Sequence, residues 1–364
     1  MTMRLATAGE SHGAALVGIL SGLPAGLRLD REAIQRDLAR RREGYGRSPR
    51  QRLERDEVEM LAGLRHGITL GTPLALVIRN RDHESWAWGM SAWPPTGEPG
   101  GKGSTPVTLP RPGHADLPGA LKYGHTDVRN ALERASARQT AMDVAAGSVA
   151  KALLAEIGVT VEGRVLEIGG EPSAAAWERV TEDARAARDT LGGIVEVVAA
   201  GVPPGLGSYA EKGDRLDTRL AATLMGIQAV KGVEVGDGFA LARARGSEAH
   251  DEIGPGLRRA SNRAGGIEAG ITNGERVVVR TAMKPLSTLM RPLRSVDLQT
   301  GESGEALVER SDVQAVEALA VVAEAAVAWE LARAAREKFG GDALVDFVAA
   351  HRAYLERIPW RPTR

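Results

Sequence analysis

The sequence predicts an α+β protein in which long helices lie buried against sheets, and three observations carry that expectation. Two long stretches, about 127–156 and 312–338, are helical in pattern but Ala-rich and small-sided, too apolar for an exposed position. Short apolar runs at 14–20, 57–64, 73–79, 160–168, 194–200 and 277–280 read as strands. No composition break divides the 364 residues, so the chain reads as one domain over 1–364.

Each element has its own signal. AALVGIL at 14–20 is a buried strand, followed by a turn at Pro24 and Gly26. Asp30 is an N-cap for a helix through about Arg42, with Ile34 and Leu38 on one face. Residues 57–64 and PLALVIR at 73–79 are further strands. From 81 to 126 Gly, Pro, Trp and His dominate, and 81–113 is expected to be a flexible lid or binding loop. Asp127 can cap one helix to about Glu156, on which Arg134 and Arg138, four apart, would share a face. Strands follow near 160–168 and 194–200, then a helix near 215–230, alternation at 232–243 and the strand VVVR at 277–280. The last long helix, about 312–338, can be capped by Asp312, and a shorter amphipathic one spans about 342–355.

Composition narrows the function. With no Cys, disulfide scaffolds, thiolate metal sites and Cys nucleophiles are excluded. The 47 basic and 47 acidic residues cancel, which argues against a dedicated nucleic-acid binder. MTMRLATAGESHG lacks an apolar leader core and no window approaches a membrane span, so a cytoplasmic protein without membrane partners is expected. The basic set is lopsided, 40 Arg against 7 Lys, and seven Arg fall between Arg40 and Arg55 against two Glu. Arg forks grip phosphate and carboxylate bidentately, so a small multiply anionic ligand is indicated.

Single motifs say less. Gly9-Glu10-Ser11-His12-Gly13 matches the G-x-S-x-G elbow of serine hydrolases, but at most one short strand precedes it and no oxyanion element is visible. GEPGGKGS fails the P-loop pattern, since Gly103 stands where Ser or Thr is required. His114 and Asp116 form an HxD pair, weak as a metal site, so no metal is expected. Lys284-Pro285-Leu286-Ser287-Thr288 offers a cation and two hydroxyls to a phosphate, with a plain loop as the alternative. An Arg-rich anion- or RNA-binding protein using 40–55 is the non-catalytic alternative.

Eight segments in series resemble chorismate synthase: GESHG (9–13), RRREGYGR (40–47), RPGHAD (111–116), ERASARQTAMDVAAGSVAK (133–151), QAVKGVEVGDGF (228–239), SNRAGGIEAGITNG (261–274), MKPLSTL (283–289) and RSDV (310–313). The resemblance implies a β-α-β sandwich with helices enclosed between antiparallel sheets, assembled as a homotetramer. It implies a carbon–oxygen lyase at the last step of the shikimate pathway, feeding aromatic amino acid biosynthesis. Phosphate is lost from 5-enolpyruvylshikimate 3-phosphate by anti-1,4-elimination to give chorismate. The cofactor implied is reduced FMN, with NADPH or an external flavin reductase as the source of reduction.

The resemblance also implies roles for residues. His12 would be the general acid to the leaving phosphate, His114 would protonate or polarise the reduced flavin, and Asp312 with Ser11 would relay a proton. Arg41 or Arg42, Arg47, Arg50, Arg111 and Arg138 would grip the substrate's anions. Arg134, Ala135, Ser136, Gln228, Ala229, Ala269, Lys284, Pro285, Leu286, Ser287, Thr288 and Arg310 would hold the flavin, with Arg310 also named for the substrate's anions. Ala135, Ala269, Leu286 and Gln228 depart from the residues usual at their positions, and none of these departures touches the acid–base set.

Overall fold

Along Ala15–Ser21 every second residue, Leu16, Gly18 and Leu20, is buried, the period of a pleated strand with one face on a core. The computed structural model, which describes residues 2–47, 56–309 and 312–360, places this strand (β2) beside Arg4–Ala8 (β1). Val58–Ala62 (β3) and Leu74–Arg79 (β4) complete an antiparallel sheet ordered β1-β2-β4-β3. Thr160–Ile168 (β5), Gly193–Ala200 (β6), Val230–Val235 (β7) and Val277–Met283 (β8) form the second sheet, ordered β7-β8-β6-β5 and also antiparallel. On β8 the buried side is Val277, Val279, Thr281 and Met283.

Among the described residues the helices of seven or more residues are Arg31–Arg42 (α1), Asp116–Tyr123 (α2), Arg129–Ala135 (α3), Thr140–Ala155 (α4), Ala174–Ala186 (α5), Leu216–Met225 (α6), Val316–Phe339 (α7) and Leu344–Arg357 (α8). Asp30 caps α1 as expected, its Oδ1 accepting from the Glu32 N–H at 2.9 Å, and Ile34 and Leu38 are buried. α4 and α7 run between the two sheets, α4 against the first and α7 against the second. Their small residues allow that closeness: a Cβ on Gly147 would stand 2.3 Å from the Ala325 Cβ, so only Gly fits there. Gly18 of β2 makes room in the same way for Met142 of α4. The fold is the expected α+β sandwich of helices between antiparallel sheets. Charge inside the helix layer is paired: Glu324 of α7 meets Arg40 at 2.9 Å and Lys151 at 2.8 Å, and Asp37 meets the same two cations.

Four expectations are corrected. The helix expected over 127–156 is two helices, because Ser136 leaves the helical region (φ −64°, ψ 143°) and its side chain accepts from the Arg138 N–H. Arg134 and Arg138 therefore diverge instead of sharing a face. The last long helix begins at Val316, not 312, with the Gln314 side chain accepting from the Val316 N–H at 2.7 Å in place of any cap from Asp312. The helix near 215–230 stops at Met225, where Gly226 follows. Within 81–126 there is order, a 3-10 turn at Arg81–Trp86 and α2, although 87–115 holds neither helix nor strand.

Candidate active site

GESHG turns between β1 and β2, two strands of an antiparallel sheet. This is not the strand–turn–helix setting of a hydrolase elbow. The Asn80 side chain, at the end of β4, donates to the Glu10 carbonyl at 3.1 Å and the Gly13 carbonyl at 2.8 Å, closing the loop. Glu133 of α3 holds its centre: Oε2 accepts the His12 N–H at 3.0 Å, and both oxygens lie 2.9 Å from His12 Nδ1. Trp86 stacks on the imidazole, centroids 3.9 Å apart and planes 18° apart. Burial works to raise the Glu133 carboxyl, but the bonds from His12 and the charge of Arg129 outweigh it and hold Glu133 ionised below the usual range.

RPGHAD builds a second histidine in the same way. Asp116 Oδ1 lies 2.5 Å from His114 Nδ1, and Oδ2 accepts the Arg111 N–H at 3.0 Å and Nε–H at 2.8 Å. Burial again opposes ionisation, and again the His114 and Arg111 bonds win, so Asp116 sits far below the ordinary carboxylate range. The HxD pair is thus an orienting contact. Among the described residues no three His, Cys, Asp or Glu are grouped to hold a metal. Arg111 also reaches Thr288 Oγ1 at 2.9 Å. Gly113 lies against the KPLST loop, with φ +78° and a Cβ position only 3.2 Å from the Lys284 ammonium, which donates to the Gly113 carbonyl.

The arginines converge through buried acids. Fully buried Asp56 takes Arg41 Nη1 at 3.3 Å on one oxygen and Arg138 Nη1 on the other. Arg41 also donates to Thr140 Oγ1 at 2.9 Å, and Arg138 Nε donates to Asn80 Oδ1 at 2.9 Å. Burial, together with the neighbouring Arg138 and Arg47 charges, pulls Arg41 down to about 10 against the attraction of Asp56. Arg47 pairs with Asp312 at 2.8 Å.

These groups surround one cavity of about 500 Å³. Of the residues expected from sequence it gathers Ser11, His12, Arg41, Arg47, Arg111, His114, Ala135, Ser136, Arg138, Gln228, Ala229, Lys284, Leu286, Ser287, Thr288 and Asp312. Ala229 takes a left-handed turn (φ 67°) whose carbonyl accepts the Lys284 N–H at 3.0 Å, joining the two expected flavin segments. Four expected residues are not in its wall. Arg134 turns away to Thr7 Oγ1 at 2.8 Å and Gln139 Oε1 at 2.5 Å. Ala269 is exposed on the hairpin between Ile267–Glu268 and Ile271–Thr272. Pro285 stands between two lining residues, and Arg41 rather than Arg42 faces the cavity. Arg50 and Arg310 lie outside the described residues.

Sequence reasoning missed Asp56, Asn80, Trp86, Glu133 and Lys231. Asp56 stands among other acids (Glu54, Glu57, Glu59) beside the Arg-rich stretch, so nothing local singles it out, and its partners are 15 and 82 residues away.

The model of the chorismate synthase family matches residues 3–335. A chorismate synthase from Symbiobacterium thermophilum is 52% identical over 391 residues, covering 99% of this chain and all of the relative. One from Rubrobacter xylanophilus is 53% identical over 385 residues, with 98% of each covered. A solved structure described as the crystal structure of chorismate synthase aligns with a TM-score of 0.78 at 36% identity over 99% of both chains. Since residues of seven of the eight motifs, scattered from residue 11 to residue 312, line one cavity and the family's model spans most of the sequence, the chain belongs to the chorismate synthase family.

Proposed function

We propose that the chain catalyses the anti-1,4-elimination of phosphate from 5-enolpyruvylshikimate 3-phosphate, giving chorismate, with reduced FMN as cofactor. The observation that carries this reading is the pair of histidines, each wired at Nδ1 to a buried carboxylate, lining one cavity with the arginines. The residues present fit two anionic ligands. Six cations, Arg41, Arg47, Arg111, Arg138, Lys231 and Lys284, line the described wall against Glu309 and Asp312. Arg47 Nε is buried without a hydrogen-bond partner among the described residues. Leu132, Met225, Leu319 and Val322 supply an apolar wall for a planar ring.

In the reaction an allylic C–O bond to phosphate and a ring C–H bond break, and a conjugated diene forms, with no net oxidation. Reduced FMN, when bound, supplies electron density as the C–O bond breaks and takes it back as hydrogen leaves. Everything else falls to the chain. Arg41, Arg47, Arg111 and Arg138 hold the phosphate and carboxylates in a fixed pose. His12 Nε2 gives a proton to the departing phosphate oxygen. His114 would protonate or polarise the reduced flavin, and Asp312 with Ser11 would help relay its proton. Lys284, Ser287, Thr288, Ser136 and the backbone at Gln228 and Ala229, all in the cavity wall, would hold the flavin. The turn carrying Trp86 begins the segment 81–113, which acts as the cover over His12.

The test is an anaerobic assay with reduced FMN, following release of inorganic phosphate and formation of chorismate. Absence of both products, together with an unperturbed flavin spectrum when substrate is added, refutes the proposal. Replacing His12 or His114 with Ala is expected to slow turnover by about a hundredfold or more. Supplying NADPH as the sole reductant reads whether the chain reduces its own flavin or relies on a reductase.

A further inference from the structure

We propose that Glu133 is a positioning residue for His12, fixing the imidazole as the Nδ1–H tautomer so that Nε2 is the atom presented to the cavity. The inference rests on the acid role proposed for His12 and assigns what makes that role possible. Glu133 is 2% exposed and grips His12 twice, by the backbone N–H at 3.0 Å and by Nδ1 at 2.9 Å. A carboxylate only accepts, so Nδ1 must carry the hydrogen and the lone pair of the neutral ring falls on Nε2. Protonation then places a hydrogen on Nε2, the nitrogen no protein group among the described residues engages.

Two further contacts remove the ring's remaining freedom. Trp86 covers one face of the imidazole at 3.9 Å. Arg129 donates to Glu133 Oε1 at 3.1 Å and lies 4.9 Å from the Trp86 ring, tying carboxylate and indole together. The other charged or titratable groups around His12 are Glu10 of its own loop and His83, whose Nδ1 lies 3.0 Å from the His12 carbonyl. Asp82 holds the Trp86 indole N–H at 3.0 Å from behind. None of these three touches Nδ1, so the tautomer is set by Glu133.

The experiment pairs a direct readout with a kinetic one. In wild-type protein labelled with ¹⁵N-histidine, with the His12 signals identified by their loss in His12→Asn, the neutral ring is expected to show Nδ1–H. Glu133→Gln, whose amide can donate as well as accept, is expected to lower kcat by about 10- to 100-fold, leave KM within about threefold, and give the ring a clear Nε2–H population. Glu133→Asp keeps an acceptor-only group, and its neutral ring is expected to stay Nδ1–H. A purely structural role would lower the melting temperature and the rate with the Nδ1–H tautomer unchanged in Glu133→Gln, and that result overturns the proposal. Nε2–H as the main tautomer of wild-type His12 overturns it whatever the variants do. If wild-type protein shows no elimination activity, the proposed function fails, while the tautomer measurement still decides the role of Glu133.

Discussion

Asp56 is the position where a single charge is expected to matter most. It is fully buried between Arg41 and Arg138, with one oxygen on each guanidinium. In Asp56→Asn the shape and one acceptor remain, but two buried cations lose the anion that compensates them. Breaking a buried pair by removing one partner costs about 3–5 kcal/mol, and the retained acceptor argues for the low end, ~3 kcal/mol. A chain of this length has an unfolding entropy of roughly 0.8 kcal/mol/K, so the melting temperature falls by about 4 °C. Scanning calorimetry at fixed protein concentration and pH 7.5 measures it. The same variant loosens both arginines, so KM for the proposed phosphorylated substrate is expected to rise by about tenfold or more while chemistry at saturation changes less. Combining Asp56→Asn with Arg41→Met removes one orphaned cation and recovers part of the stability. A melting temperature within about 1 °C of wild type would show that solvent or relaxation screens the site and would refute this reasoning.

Other consequences follow from the same contacts. Gly147→Ala forces a Cβ into Ala325 across the α4–α7 crossing and is expected to destabilise by about 1–3 kcal/mol, read by chemical denaturation. Asp143, pushed up to about 6 by burial against the pull of Arg41 and Arg134, costs stability when ionised. Asp143→Asn should therefore raise the melting temperature at pH 7.5, with the gain shrinking toward pH 4; an equal gain at both pH values contradicts the assignment. Asp37, Asp116, Glu133 and Glu324 shift the other way: for each, burial is outweighed by its hydrogen-bonded cations or histidine. Their stabilisation is complete above the unfolded values of 3.8 and 4.5 and is lost as pH falls through the lower folded values, so the melting temperature should drop steeply below about pH 4.

Much of this protein is legible without coordinates, because its local chemistry is strong. Period-two burial at Ala15–Ser21, the Asp30 cap and the small-residue helices around Gly147 depend on near neighbours, and each forms as its residues dictate. Seven of the eight family segments likewise name most of the cavity wall, since each carries its lining side chains in a short stretch. Where local signals compete, the reading fails. Ser136 sits inside a strong helical pattern, yet its hydroxyl caps the next turn and breaks the helix, sending Arg138 to Asp56 and Arg134 to Thr7. Asp312 looks like a cap, but Arg47, far away in the chain, claims its carboxylate.

The sequence by itself determined the fold class, the family and the identity of the two histidines and of most of the arginines. The tertiary structure alone decided which carboxylate faces which cation or imidazole: Glu133 for His12, Asp56 for Arg41 and Arg138, Asp312 for Arg47. The reason is physical. Propensity, capping and periodicity act over a few residues and are written in the local sequence, whereas a buried charge needs whatever opposite charge the folded chain brings within about 3–4 Å, at any sequence distance.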